Sequence, residues 1–377
     1  MTQKVLRVCY FGTYRDEYPR NRSMIEGLRR NGVQVIECHE KLWKDTHDRA
    51  QAASGAWKSP RFLVRVVRVY IQLLQKYLRI GDYDVMVVGY PGQFDVFLAR
   101  ILTWLQRKPL CWDVLTSIYQ ISLERRLDQN VTPTIQLIRF IEKLACHLPE
   151  QLILESEEYV NWFCQTHRIK PDRFRVVPLG SHYSSITTDS NRSVPQKKKF
   201  IVLYWGNFLR SHGVDLIMQA ARCLNNDKTI EFICAGDGPE RKRAMESAKG
   251  LRNISFPGYL SDEALVNEQD RADICLGVFG STPQAMETIQ NRIYECLAKG
   301  KVLLTGYAPL ISKTFQHGRD LFLCERTVEG IVEAIRILKE NPQLRIKLAE
   351  NGQKTFNENF SVEKIGQRFL KLLLELV

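Results

Sequence analysis

Hydrophobic positions along the chain gather into short runs that end in turn residues. Longer stretches with helical spacing separate them. "VLRVCYFG" (residues 5–12) predicts a strand, "RNRSMIEGLRRNG" (20–32) a helix closed by Gly32, and "VQVIECH" (33–39) a second strand. "YDVMVVGYPG", "KPLCWDV", "LILES" and "RFRVVPLG" are further short apolar runs. Strands alternating with helices in this way predict a parallel sheet with crossover connections. The polar stretch 182–199 reads as a linker, and the pattern then restarts. "FIVLYWG", "IEFICAGDGP", "ISFPGYL", "DICLGVFG" and "KVLLTG" predict strands. "GVDLIMQAARCLNN" and the capped "SDEALVNEQDRA" predict helices between them. After Gly306 only helices are expected, ending in "VEKIGQRFLKLLLELV". The fold class is α/β: two Rossmann-like domains, residues 1–185 and 199–355, joined by a linker at 186–198. Residues 356–377 form a final helix. Ligands in such sheets bind beyond the carboxyl ends of the strands.

The loops at those ends carry the candidate chemistry. In "YWGNFLRSHGVDL" a strand ends at Gly206, and a helix starts near Gly213 after a loop holding Asn207, Arg210 and His212. A helix N-terminus with free N–H groups favours an anion. "AGDGPE" holds Gly236 and Gly238 in a second strand-to-helix turn. Each alone is also ordinary turn chemistry. "ETIQNRIYECLAKGK" (287–301) holds Glu287 and Glu295, eight positions apart. On one continuous helix they would point roughly 80° apart, a poor shared site. Asn291 reads as an N-cap for a helix over 292–299, with Gly300 as its left-handed stop. Glu287 then lies in the preceding loop and Glu295 one turn inside the helix. The pair lines a cleft, or is two charges on a surface turn; spacing leaves both open.

Composition narrows the partners. The 377 residues carry a net charge of +12. Residues 1–200 hold 31 Lys/Arg against 20 Asp/Glu, and the rest 23 against 22, so the excess belongs to the first half. It suits nucleic acid, an anionic membrane or an acidic substrate. No apolar run reaches the ~18 residues of a membrane span, and the N-terminal run has no secretory-signal layout. The ten cysteines form no C-x-x-C pair and the seven histidines no H-E-x-x-H, so neither a disulfide framework nor a metal site is expected. A dinucleotide-dependent oxidoreductase lacks its G-x-G-x-x-G turn after the first strand. Nucleic-acid binding finds support only at 57–80, which has simpler readings.

In that segment Lys58, Arg61, Arg65, Arg68, Gln72, Lys76 and Arg79 recur at steps of three or four, with no acid among them. Two readings stand: an amphipathic helix with a solvated face, or a surface element on anionic lipid. Asp113, just after a strand, reads as a base for a hydroxyl or as a structural turn. Gly12 and Gly92 read as points of close ligand approach or as ordinary turn glycines.

In order, G-N-F-L-R-S-H-G, G-D-G-P, "FPGYLSDEAL", "ADICLGVFG" and Glu287-x7-Glu295 with "YECLAKGK" resemble the nucleotide half of GT-B glycosyltransferases, most closely the family-4-type retaining enzymes. The resemblance covers 199–377, and the first half is similar to their acceptor domain through "YFGTY", "VVGYPGQFD" and "VVPLGS". It implies two domains facing across a cleft, the final helix crossing back, and transfer of a sugar from a nucleotide sugar (UDP- or GDP-linked) to a saccharide or lipid-linked saccharide. It implies Glu295 on the ribose and Glu287 on the donor sugar. The Gly206 loop holds the diphosphate, and Tyr259 and Leu260 lie beside the base. Asn207 and His212 stand where such enzymes often carry Arg and Lys, which leaves Arg210 and Arg292 as replacement cations. It also implies catalysis without a metal; the scattered cysteines suit a cytoplasmic protein, and the basic stripe a peripheral place on the inner face of the membrane. A catalytically degenerate partner subunit is the alternative.

Overall fold

A computed structural model of the chain describes residues 5–16, 18–42, 59–124, 132–181 and 199–377. The expected linker, 186–198, and the first two residues of the basic segment, Trp57 and Lys58, lie outside them. The chain divides into two compact units, Met1–His182 with Val362–Val377, and Tyr183–Ser361.

The first unit is built on a parallel sheet ordered β2-β1-β3-β4-β5-β6. Its strands are β1 Arg7–Gly12, β2 Gln34–His39, β3 Val85–Val88, β4 Leu110–Asp113, β5 Gln151–Leu154 and β6 Phe174–Val176. Alternate side chains feed two cores, because successive residues of a strand face opposite ways. Cys9, Phe11, Met86, Val88 and Trp112 enter one, covered by the helices Pro60–Tyr77, Asp95–Gln106, Thr132–His147 and Glu157–His167. Val8, Tyr10, Val85 and Val87 enter the other, covered by Pro19–Arg30 and Val362–Leu374. Those two helices meet at Gly27 and Gly366. A Cβ on Gly366 would lie 2.1 Å from the Gly27 carbonyl group, so glycine is what lets the backbones touch. The helix that belongs to the first unit starts at Val362, later than residue 356. Phe356 and Phe360 stay in the second unit, where Phe360 stacks on Tyr294 and Phe315.

The second unit holds a parallel sheet ordered β12-β11-β10-β7-β8-β9. Its strands are β7 Phe200–Gly206, β8 Ile230–Gly236, β9 Ile254–Gly258, β10 Ile274–Leu276, β11 Leu303–Gly306 and β12 Phe322–Cys324. This is the Rossmann order, and it reverses between β7 and β10. The last strand corrects the expectation of helices alone after Gly306. β12 is a three-residue, half-buried edge strand, too short to show a hydrophobic pattern.

Candidate active site

The loops following β7, β8 and β10 converge where the strand order of the second unit reverses. Gly206 ends β7 at φ +141, and a Cβ there would sit 2.4 Å from Arg292 Nη2. Gly236 (φ +113) and Gly238 (φ +150) leave no room for a side chain either. Their added Cβ atoms would meet Gly206 O at 2.0 Å and Asn207 O at 1.7 Å. The glycines let the two loops stack backbone on backbone. Gly213 (φ +65) does the same against Gly280 and starts the helix Val214–Cys223 with no side-chain cap. The first N–H groups of that helix stay available, as an anion site requires.

Arg292 is the centre of this arrangement. It is buried, and its Nη1 donates to Gly277 O at 2.8 Å while Nη2 lies 3.2 Å from His212 Nδ1. Its guanidinium carbon sits 4.4 Å from the Tyr204 ring centroid and 5.7 Å from that of Trp205. No carboxylate lies within ion-pair distance of it among the described residues, and its buried Nε has no hydrogen-bond partner there. A buried cation held by one carbonyl, two π-faces and a neutral ring keeps its charge for an incoming anion.

His212 differs from expectation. It is buried, held by the Tyr204 hydroxyl at 2.8 Å and by Arg292, and burial together with that cation pushes its pKa well down. It is therefore a neutral support for Arg292 and not a cation of the loop. Arg210 and Asn207 are exposed, and Asn207 Oδ1 accepts from the Tyr259 hydroxyl at 3.2 Å. Tyr259 is 69% exposed, with Leu260 half-buried beside it.

Glu295 lies inside the helix Asn291–Ala298, half-buried, and accepts from Trp205 Nε1 at 3.4 Å. Burial raises its pKa, while the Trp205 bond and then Arg292 oppose the shift. Gly300 ends the helix at φ +59, with Lys301 N bonded to Cys296 O and Gly300 N to Leu297 O, the glycine stop expected. The N-terminus is different: Gln290 is the N-cap and Asn291 the first helical residue. Asn291 Oδ1 is buried without a hydrogen-bond partner among the described residues. Glu287 closes its own short helix, Pro283–Glu287, capped by Thr282, and does not lie in an open loop. Trp205 and Tyr204 were not anticipated, although "LYWG" places them directly before the loop glycine.

The first-unit candidates are corrected. Asp113 is fully buried and pairs through both oxygens with buried Arg20, at 2.8 and 2.9 Å. A carboxylate committed in this way is a counter-ion and not a base for an acceptor. Beside it, burial pushes Glu155 up to about 8. Gly12 (φ +131) gives room to this chain's own Asp95, whose Oδ2 would lie 2.6 Å from an added Cβ and accepts from Thr13 N at 2.7 Å. Gly92 admits Trp112 in the same way, with Nε1 2.7 Å from an added Cβ. Both glycines serve packing.

Among the described residues no group of three His, Cys, Asp or Glu is placed to hold a metal, and no helix is long and apolar enough to cross a membrane.

Two Rossmann-like units, with a glycine-arginine site at the switch point of the second, define the GT-B fold class. Residues 185–355 match the family described as glycosyl transferases group 1. The chain is 24% identical over 326 residues to O-antigen chain mannosyltransferase C of Escherichia coli, covering 81% of this chain and 80% of that one. It is 27% identical over 182 residues to alpha-D-kanosaminyltransferase of Streptomyces kanamyceticus, covering 47% of this chain and about half, 46%, of that enzyme. Among solved structures, Anabaena HepE in complex with UDP superimposes with a TM-score of 0.67 at 15% identity, over 99% of this chain and 100% of that one. The chain thus has the GT-B fold, and its second unit carries the match to the group 1 glycosyl transferases.

Proposed function

We propose that the protein transfers a hexosyl group from a nucleoside-diphosphate sugar to a saccharide, free or carried on lipid, with retention at the anomeric carbon and without a resident metal ion. The observation that carries this reading is Arg292, a buried cation that pairs with no carboxylate among the described residues and lies beside the glycine turns of β7 and β8.

The diphosphate lies against Arg292 and the N-terminus of Val214–Cys223, with Arg210 reaching it from the exposed side. As the bond from the anomeric carbon to the phosphate oxygen breaks, negative charge grows on the diphosphate, and fixed N–H groups and the guanidinium stabilise it. These cations take the part that a metal ion plays elsewhere. Glu295 accepts the ribose hydroxyls, its carboxylate aimed by Trp205. Tyr259 and Leu260 flank the base, which we take to be uracil, because the solved neighbour HepE is described in complex with UDP. Glu287 faces the donor sugar. Saccharide acceptors follow from the O-antigen mannosyltransferase relative. A lipid-carried acceptor and a cytoplasmic, membrane-peripheral location suit the basic helix Pro60–Tyr77.

Thermal shift with UDP, GDP, ADP and their glucose and mannose conjugates tests this. One nucleotide at ~100 times its dissociation constant should add about 2.7 kcal/mol. Absence of any nucleotide-dependent shift would reject the reading.

A further inference from the structure

The helix Pro60–Tyr77 has three sides, not two. At ~100° per residue, Val69, Leu73 and Tyr77 share one side and are buried. Arg61, Arg65, Arg68, Lys76 and the following Arg79 share the second, and the helix contains no Asp or Glu. Leu63, Val64, Val67, Ile71, Leu74 and the C-cap Leu78 share the third, a sector of about 100°. All six are exposed, Val64 by 68% and Leu78 by 75%. A helix resting on a sheet normally turns polar side chains to that outer sector.

Two neighbours on the same sheet face repeat the feature. Asp95–Gln106 buries Val96, Ala99 and Leu102 and exposes Ile101, Trp104 and Leu105, with Arg107 and Lys108 next in the chain. Thr132–His147 buries Ala145 and Cys146 and exposes Leu137, Phe140 and Leu144. On the opposite face, Pro19–Arg30 exposes no large apolar side chain, and Val362–Leu374 exposes only its last, Leu374. Single exposed apolar residues are ordinary, but three helices on one sheet face that share the feature are not.

We propose that this helical layer seats the first unit on an anionic lipid bilayer. The apolar sectors enter the boundary between headgroups and acyl chains, and Arg61, Arg65 and Arg68 meet lipid phosphates. Charge selects the occupant. A second copy of the chain would bring the same Arg61, Arg65 and Arg68 to a two-fold contact, and like charges would oppose it. An anionic bilayer offers apolar depth and negative charge together. Insertion by apolar side chains goes beyond attraction by the basic stripe alone, and it stands independently of the sugar-transfer reading.

Flotation of the full chain with phosphatidylcholine vesicles, with and without phosphatidylglycerol, tests it. The protein should float with the phosphatidylglycerol vesicles, and its tryptophan emission should shift to the blue by an amount that Trp104→Phe removes. The double variant Val67→Glu/Ile71→Glu should partition at least about tenfold less, while keeping the wild-type melting temperature. Equal flotation of wild type and double variant overturns the proposal, as does failure of the wild type to float. A concentration-dependent dimer in sedimentation that the double variant dissolves also overturns it, in favour of a second copy.

Discussion

Arg292 Nη2 meets His212 Nδ1 at 3.2 Å, and that contact fixes the imidazole tautomer. A guanidinium has only donors, so Nδ1 accepts and the ring proton sits on Nε2. A protonated ring could not accept, and its charge would oppose Arg292 in a buried site. The depressed pKa of His212 follows from the same two causes, burial and the neighbouring cation. Replacing Arg292 with Lys keeps the charge and loses the fork that joins Gly277 O to His212. We expect R292K to lower kcat/KM by at least about tenfold, with UDP affinity reduced as well; isothermal titration and initial rates check this.

Arg210→Ala should act on turnover more than on donor affinity. The side chain is exposed on the loop after β7, and a contact that strengthens as the diphosphate departs stabilises the transition state more than the bound ground state. A kcat within about twofold of wild type would assign the whole charge to Arg292 and the backbone.

Glu295→Gln should weaken binding of the nucleotide sugar by about 1.5–3 kcal/mol, the range for a hydrogen bond to a charged group. A pH series adds a second signature. Burial holds the Glu295 pKa above its ordinary value, so its carboxylate form, the one proposed to accept from ribose, is lost as pH falls through that raised value. Wild-type affinity should decline on the acid side, and the Gln variant should show a flatter profile there.

Most strands were legible in the sequence, because each is a run of buried apolar residues closed by a turn. Glu295 and the Gly300 stop were legible too, since helix signals act over four or five positions. What could not be read is long-range pairing. Arg20 and Asp113 are 93 residues apart and Arg292 and His212 are 80 apart; no local pattern announces that a carboxylate has a guanidinium waiting or that a loop histidine is buried. The helix Pro60–Tyr77 was legible as a helix, but not which of its sides is buried. Its sequence shows apolar residues around most of the circumference, but only tertiary structure tells which of them meet the sheet.

Glu155 gives a stability test. Its pKa is about 8 in the folded protein, raised by burial and, after the opposing effect of Arg20, by Asp113. The unfolded chain releases that proton near pH ~4.3. Between these values the folded state holds the extra proton, so this contribution to stability is complete at the acid end and is lost as pH rises to about 8. Glu155→Gln should flatten the fall of melting temperature across that window and raise stability at its alkaline end. Parallel curves for wild type and variant would place the titration elsewhere.

The close approach of Gly27 to Gly366 ties the helix Val362–Leu374 into the core that Pro19–Arg30 covers, more than 300 residues earlier in the chain. A ribosome has therefore to release the residues through Leu373 before the first sheet can be sealed on that face. Until then Met24, Ile25 and Leu28 lack the Ile365, Phe369 and Leu373 that cover them. A nonsense codon at the start of Val362–Leu374 would spare every residue of the second unit and still leave the first without that cover, a target for proteolysis.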